Sequence, residues 1–380
     1  MRQRHTASVS GPVRNVVLFS GHYLGSKRRA GFHHLAAAFL NLGWHVTFVT
    51  VGISRLSRLK GDYRFAYPVR EEANRLVPVE ERLESFVLLT WIHPGSLGSA
   101  LANRLSSRWF ARYGQVSLGA LTEVLPSADV VIFESTAGLL LVEQVRSLAP
   151  DARLVYRASD DLRLLGVHPV IVEAEERALP LFDFVSVPTS QIAEVVGRHA
   201  PAHVHPPGID KAAFDRPTPS PYGGGLTGVF AGVSHFFDYE TLEAAAFVAP
   251  KVAFHVIGLP RRSMSENVVF HREMPFETVV PYMQHASFGL LFFPPNDPRL
   301  GQGNKISQYS YCRLPILAPS DLQAERENIV NFERGDSSSL RDALHRVAHM
   351  PHPPTFAEGI LSSEELALIL AGDQPARESA

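Results

Sequence analysis

Short unbroken apolar runs alternate with stretches of helical periodicity along most of the chain. NVVLFS (15–20), HVTFVTV (45–51), FVLLT (86–90), DVVIFES (129–135), ARLVYRAS (152–159) and DFVSVP (183–188) read as strands buried on both faces. Residues 32–42, closed by Gly43, and residues 138–148 and 191–199 read as helices. Strands separated by helices predict a parallel sheet covered on both sides. Residues 199–228 are rich in Pro and Gly with weak periodicity, the pattern of a linker. The alternation then restarts with GVFAGV, a helix over 238–248, VAFHVIG, NVVFHREM, a helix over 276–285, FGLLFF, a helix after Gly303, PILAP and a helix over 337–349. A last helix is predicted over 362–371.

The fold class is therefore α/β, with two doubly wound domains facing each other across a cleft. The expected divisions are a first domain over 1–205, a hinge over 206–227, a second domain over 228–355 and a C-terminal helix and tail over 356–380 that can pack back on the first. Ligands of such sheets bind at the carboxyl ends of the strands, and helix N-termini there attract phosphate.

Composition narrows the class. The 380 residues are 45% hydrophobic and 19% charged, enough apolar surface for two cores and too little charge for a disordered chain. The single cysteine, Cys312, forms no internal disulfide and no CxxC site, so a reducing compartment is expected. No apolar run approaches the roughly 18 residues that span a bilayer. The basic start MRQRHTASVSGP leads only into a short apolar run, which predicts a protein that is not exported. Charge is divided unevenly: residues 1–125 hold 16 Lys and Arg against 7 Asp and Glu, and the remainder holds 20 against 31. A cationic front points to an anionic partner on that side.

Several chemistries drop out. No G-x-G-x-x-G follows the first strand, no Walker A is present, and GQGNKIS (301–307) has the wrong spacing for one. No D-x-D triplet or H-E-x-x-H occurs, and the 17 histidines are scattered, so no metal and no cofactor is expected. In GQGNKISQYSY (301–311) two glycines allow close backbone approach and Asn304 can cap the next helix. Lys305 and the first-turn N–H groups would then face a diphosphate, with Ser307 and Gln308 in reach. An ordinary βα loop with a surface lysine reads the same way.

Glu273 in REM (272–274) ends a strand, where a carboxylate can accept ribose hydroxyls or simply serve the next helix start. YRASDD (156–161) sets two carboxylates at a strand end, as a general base requires and as a helix N-cap also looks. Lys27, Arg28 and Arg29 form a cationic loop. Arg104, Arg108 and Arg112 interleave with Leu101, Leu105, Trp109, Phe110 and Tyr113 in a basic amphipathic pattern suited to an anionic membrane, or to core packing with snorkelling arginines. No nucleic-acid signature accompanies it, so no nucleic-acid partner is expected.

The two-domain pattern, PPGID (206–210) and ERGDSSSLRDAL (333–344) resemble the GT-B architecture of glycosyltransferases. SRLSRLKGD (54–62), the His93-Pro94 pair, DVVIFES, LVYRASD (154–160), FHVIG (254–258), Glu273-Met274 and the pattern Lys305…Gln308-Tyr309…Leu314-Pro315 are similar to the GumK-like β-glucuronosyltransferases of xanthan assembly, glycosyltransferase family 70. The likeness runs to about Pro319. It implies Asp160 as general base, and Glu273, Met274, Lys305 and Gln308 at the nucleotide. Where the family has tyrosine near the diphosphate this chain has Phe293; Asn304 and His235 replace methionines, and Asp161 replaces the glycine after YRASD.

The resemblance implies an inverting, metal-independent transfer of a sugar, glucuronic acid from UDP-glucuronate being favoured, onto a polyprenyl-diphosphate-linked glycan. The protein would be cytoplasmic and peripheral on the anionic inner face of the cell membrane. A UDP-sugar epimerase of the same architecture and a non-catalytic nucleotide-sugar-binding module are the alternatives.

Overall fold

The computed structural model describes residues 13–26, 29–232, 237–262, 265–294, 304–322 and 326–373. The chain divides into two compact units. The first comprises residues 1–187, 191–203 and 367–380, the second residues 188–190 and 204–366.

The first unit is built on eight strands: β1 (Asn15–Ser20), β2 (His45–Ser54), β3 (Leu76–Glu80), β4 (Leu83–Thr90), β5 (Val130–Glu134), β6 (Arg153–Arg157), β7 (Phe184–Val187) and β8 (His203–Val204). Their order in the sheet is β3-β4-β2-β1-β5-β6-β7-β8. β2, β1, β5, β6 and β7 run parallel to one another in that order, as does β4 with β2, while β3 is antiparallel to β4. Unbroken apolar runs make sense here because both faces are covered: Phe19, Phe133 and Tyr156 on one face and Leu18, Ile132 and Val155 on the other are fully buried. Phe19 and Phe133 stack with ring centroids 4.5 Å apart.

β3 is a strand the hydrophobic pattern does not reveal. Its LVPVE sequence is half-buried to exposed and contains Pro78, which only an edge strand tolerates. The expected basic helix forms over Ala100–Phe110 and tightens into a 3-10 turn over Ala111–Gln115. A further helix, Pro169–Ala178, follows the YRASDD segment.

The second unit has six parallel strands: β9 (Leu226–Ala231), β10 (Val252–Ile257), β11 (Val268–His271), β12 (Phe288–Leu290), β13 (Ile316–Pro319) and β14 (Ile329–Phe332), ordered β11-β10-β9-β12-β13-β14. β14, four residues with Asn331 exposed, is too short and mixed to stand out in sequence. Helix Asn304–Tyr311 can seat closely on β12 because Gly289 presents no side chain, while Gly228 in β9 leaves room for the Phe288 and Phe254 rings of the neighbouring strands. A Cβ on Gly228 would lie 2.7 Å from the Phe288 ring, and one on Gly289 would strike the Tyr309 ring. Tyr309 is fully buried; its hydroxyl donates to the Val229 carbonyl at 3.1 Å and accepts from the Ala231 N–H at 3.3 Å.

The Pro- and Gly-rich segment is tied down within the second unit. Ile209 bridges to Ser362, with the Ile209 N–H donating to the Leu361 carbonyl and the Ser363 N–H to the Ile209 carbonyl. Gly208 permits this approach, since a Cβ there would sit 2.6 Å from the Ser362 carbonyl oxygen. The last helix, Ser363–Ala371, leads residues 367–373 into the first unit. There Arg153 Nε donates to the Leu370 carbonyl at 3.1 Å and Arg14 pairs with Asp373 at 2.6 Å.

Candidate active site: an acidic strand edge and a basic pocket

Strand order reverses direction once in each sheet, between β1 and β5 in the first and between β9 and β12 in the second. Such switch points open a crevice at the carboxyl ends of the strands.

In the first unit that crevice is occupied by a buried carboxylate. Glu134, the last residue of β5, accepts from Ser20 Oγ at 2.6 Å, from the Gly21 N–H at 3.0 Å and from Ser159 Oγ at 3.0 Å; His22 Nε2 stands 3.9 Å away. Three donors replace the water that Glu134, 5% exposed, has lost. The loop after β1 is held from its other side by Thr50 Oγ1, which donates to the His22 carbonyl, and by Arg64. The latter donates to the carbonyls of Gly21, Val51 and Gly52 and is clamped by Asp62 at 2.7 Å. The Arg64 hydrogen bonds hold Asp62 below the usual carboxylate range despite its burial. Nearby, half-buried His93 accepts from or donates to Ser54 Oγ at 2.9 Å, and desolvation lowers its pKa to about 4, so it is neutral.

Asp160 lies in the turn just beyond β6, half-buried, between two anchored neighbours. On one side Ser159 gives its N–H to Ser135 Oγ at 3.1 Å and its hydroxyl to Glu134. On the other, Asp161 is paired with Arg163 at 3.1 Å. Arg163 in turn pairs with Glu175 at 2.8 Å, and Glu175 accepts from the Tyr156 hydroxyl. The second carboxylate of YRASDD is thereby engaged with its own loop, and Asp160 is carried on a backbone fixed at both ends.

In the second unit the switch point is cationic. Lys305 lies half-buried in the first turn of helix Asn304–Tyr311, its Nζ 5.0 Å from the centre of the Phe230 ring and 5.6 Å from that of Phe293. Desolvation is the cause that lowers its pKa to about 8. Gly232, at the end of β9, makes the room: a Cβ there would come 2.6 Å from Nζ. Gln308, half-buried, is three residues along the same helix face.

Asn304 is the first helical residue, not the capping residue expected from the sequence. Ser307 is 4% exposed and belongs to the buried side of the helix. Phe293 is buried against Phe230 at the end of the run that continues β12. Beyond β11, Glu273 is exposed and Met274 packs partly against the core. Arg29, Arg104, Arg108 and Arg112 are exposed on the first unit, as is Trp109 at 57%. His235, Lys27, Arg28 and the glycines 301 and 303 lie outside the described residues.

Glu134, Arg64 and Gly232 do not stand out as site residues in the sequence. Glu134 had a readable signal, a carboxylate closing a buried apolar run just as the YRASDD carboxylates do. Arg64 had none, because apart from Asp62 its partners are backbone carbonyls, that of Gly21 after β1 and those of Val51 and Gly52 in β2.

Residues 18–188 match the family described as Glucuronosyltransferase GumK, N-terminal domain. Over 342 residues, 88% of this chain and 84% of the relative, the sequence is 28% identical to a UDP-glucuronate:glycolipid 2-beta-glucuronosyltransferase of Xanthomonas campestris pv. campestris. Among solved structures, Anabaena HepE in complex with UDP and glucose superposes with a TM-score of 0.57 at 12% identity, covering 94% of this chain and 95% of that one. A trehalose-6-phosphate structure from E. coli bound with UDP-2-fluoro glucose gives 0.57 at 11% identity, covering 94% and 96%. UDP-GlcNAc 2-epimerase from Methanocaldococcus jannaschii gives 0.51 at 13%, covering 94% and 99%. The paired switch-point sheets and these likenesses agree: the chain has the two-sheet GT-B fold of these structures, and its first unit is similar to the GumK N-terminal domain.

Proposed function

We propose that this enzyme transfers glucuronic acid from UDP-glucuronate to a hydroxyl of a polyprenyl-diphosphate-linked glycan, in one inverting, metal-independent displacement. Asp160 takes the proton of the acceptor hydroxyl as its oxygen attacks the anomeric carbon from the face opposite UDP. The bond from that carbon to the β-phosphate oxygen breaks, and UDP departs with the electron pair. Lys305 and the N–H groups of the first turn after Asn304 meet the charge that develops on the diphosphate. Glu273, Met274 and Gln308 hold the nucleotide, and Phe293 and Asn304 shape the donor pocket. The first unit supplies the acceptor side, with Arg29, Arg104, Arg108, Trp109 and Arg112 toward the anionic inner leaflet of the membrane. Among the described residues no helix is long and apolar enough to cross a membrane, so the contact proposed is peripheral.

One observation carries the reading. A half-buried lysine stands at the switch point of the second sheet, cradled by a glycine that leaves its ammonium room. The donor named for the Xanthomonas relative, UDP-glucuronate, fits such a site, and its named glycolipid acceptor fits a cationic first unit.

Turnover with UDP-glucuronate and a lipid-linked glycan tests it. Asp160→Asn is expected to lower kcat by roughly 10²–10⁴-fold with UDP affinity retained, and chelation by EDTA to leave the rate unchanged. Near wild-type transfer by Asp160→Asn removes the base assignment. Donor interconversion without acceptor would mark an epimerase instead.

A further inference from the structure

The first unit carries a groove of about 540 Å³ at the carboxyl end of β4, on the same sheet edge as Asp160. That volume lies within the range of roughly 300–1,000 Å³ typical of small-molecule sites. Its apolar lining includes Trp91, Ile92, Trp109 and Val116. Trp91 and Trp109 are 73% and 57% exposed, a large area of indole to leave in water. Two guanidinium groups, Arg55 and Arg112, belong to the same lining, Arg55 lying 4.4 Å over the Trp91 ring, and among the described residues no carboxylate lines the groove. Leu101, Leu105 and Trp109 recur every four residues along helix Ala100–Phe110, with the two leucines 67% and 75% exposed. The apolar groove thus continues into an apolar stripe.

Apolar walls with cations among them and no acid are complementary to one kind of molecule, an apolar chain ending in phosphate. We infer that this groove binds the phosphate-proximal isoprenoid segment of the acceptor lipid, the chain lying between Trp91 and Trp109 and the phosphate meeting Arg55 and Arg112. The inference rests on the glycolipid reading of the acceptor given above. It differs from adsorption to a membrane, because a groove saturates with single molecules whereas a charged surface answers to bulk charge.

The protein's three tryptophans provide the probe: Trp44 is buried and Trp91 and Trp109 line the groove. Titration with farnesyl diphosphate below its micellar range is expected to shift their emission to the blue along a saturable curve. Trp91→Ala and Arg112→Gln should each weaken that binding at least about tenfold, and farnesol, lacking phosphate, should bind more weakly than the diphosphate. No saturable binding, equal binding by the variants, or a shift produced only by phosphatidylglycerol vesicles would overturn the groove. UDP binding, measured by calorimetry on the same proteins, keeps the two readings apart. Isoprenoid binding lost while UDP binds removes the groove alone; UDP binding lost while the isoprenoid binds removes the donor reading alone.

Discussion

Lys305 and Gly232 define one another. The ammonium sits against a position where no side chain exists, and desolvation has already brought its pKa down to about 8. A bound diphosphate would favour the charged form and raise that pKa. Below pH 8 the lysine is protonated in both free and bound protein, so UDP affinity should be flat with respect to this group. Above pH 8 binding must take up a proton, and affinity is expected to fall by up to about tenfold per pH unit until the pKa of the complex is reached. Calorimetry between pH 7 and 9.5 in buffers of different ionisation heat reads both the slope and the proton. In Lys305→Ala the slope should vanish and affinity should be low throughout.

Glu134 lends itself to a different test. Its three donors include the Ser159 hydroxyl, one residue before Asp160. Glu134→Gln sets an amide N–H₂ against groups that all donate, so the turn is expected to shift. We predict that kcat drops roughly 10–100-fold while UDP affinity holds, because in the proposed mechanism that residue serves the acceptor side only. Ser159→Ala should reproduce part of the loss; a drop in UDP affinity instead would assign Glu134 a different part.

At the scale of elements, the turn after β6 depends on the pair Arg163–Glu175 next to it. Burial raises the pKa of Glu175, with Tyr156 and Arg163 acting against that rise. Removing the cation by Arg163→Ala leaves Glu175, 1% exposed, without its counter-charge. A destabilisation of about 1–3 kcal/mol near neutral pH is expected. A buried carboxyl whose folded pKa is raised costs least when protonated, so the deficit should shrink as pH falls through the acid range. Thermal unfolding of variant and parent at several pH values checks this.

The strands bordering these elements differ in how far sequence announces them. β1, β2, β5 and β6 are central, covered on both faces, and so appear as uninterrupted apolar runs. β3 and β14 lie at sheet edges, where one flank meets water, polar residues are tolerated and the run breaks. Asp160 and Lys305 could be picked out because strand-end carboxylates and Gly-rich loop lysines have a local signature. The Asp161–Arg163–Glu175 chain could not, since its members meet only once helix Pro169–Ala178 has folded back beside the turn.

For the whole molecule, the uneven charge division gains meaning from where the exposed residues fall. Arg104, Arg108 and Arg112 stand exposed on the first unit beside Leu101, Leu105 and Trp109. Co-sedimentation with phosphatidylglycerol vesicles is therefore expected at low salt and should weaken steeply as ionic strength shortens the Debye length toward about 8 Å. Replacing the three arginines by glutamine should remove most of the salt-sensitive part and leave the thermal midpoint nearly unchanged.

The path of the last helix bears on how the protein comes into being. Ala367 and Leu370 are fully buried, and residues 367–373 complete the unit that contains the first residues of the chain. During synthesis that unit waits for the ribosome to deliver its final piece, by which time residues 204–366 have emerged in full. An excised fragment ending near residue 203 would leave Arg14 and Arg153 without the C-terminal groups they hold. Expression trials of the amino-terminal half should accordingly be planned with residues 367–373 grafted back.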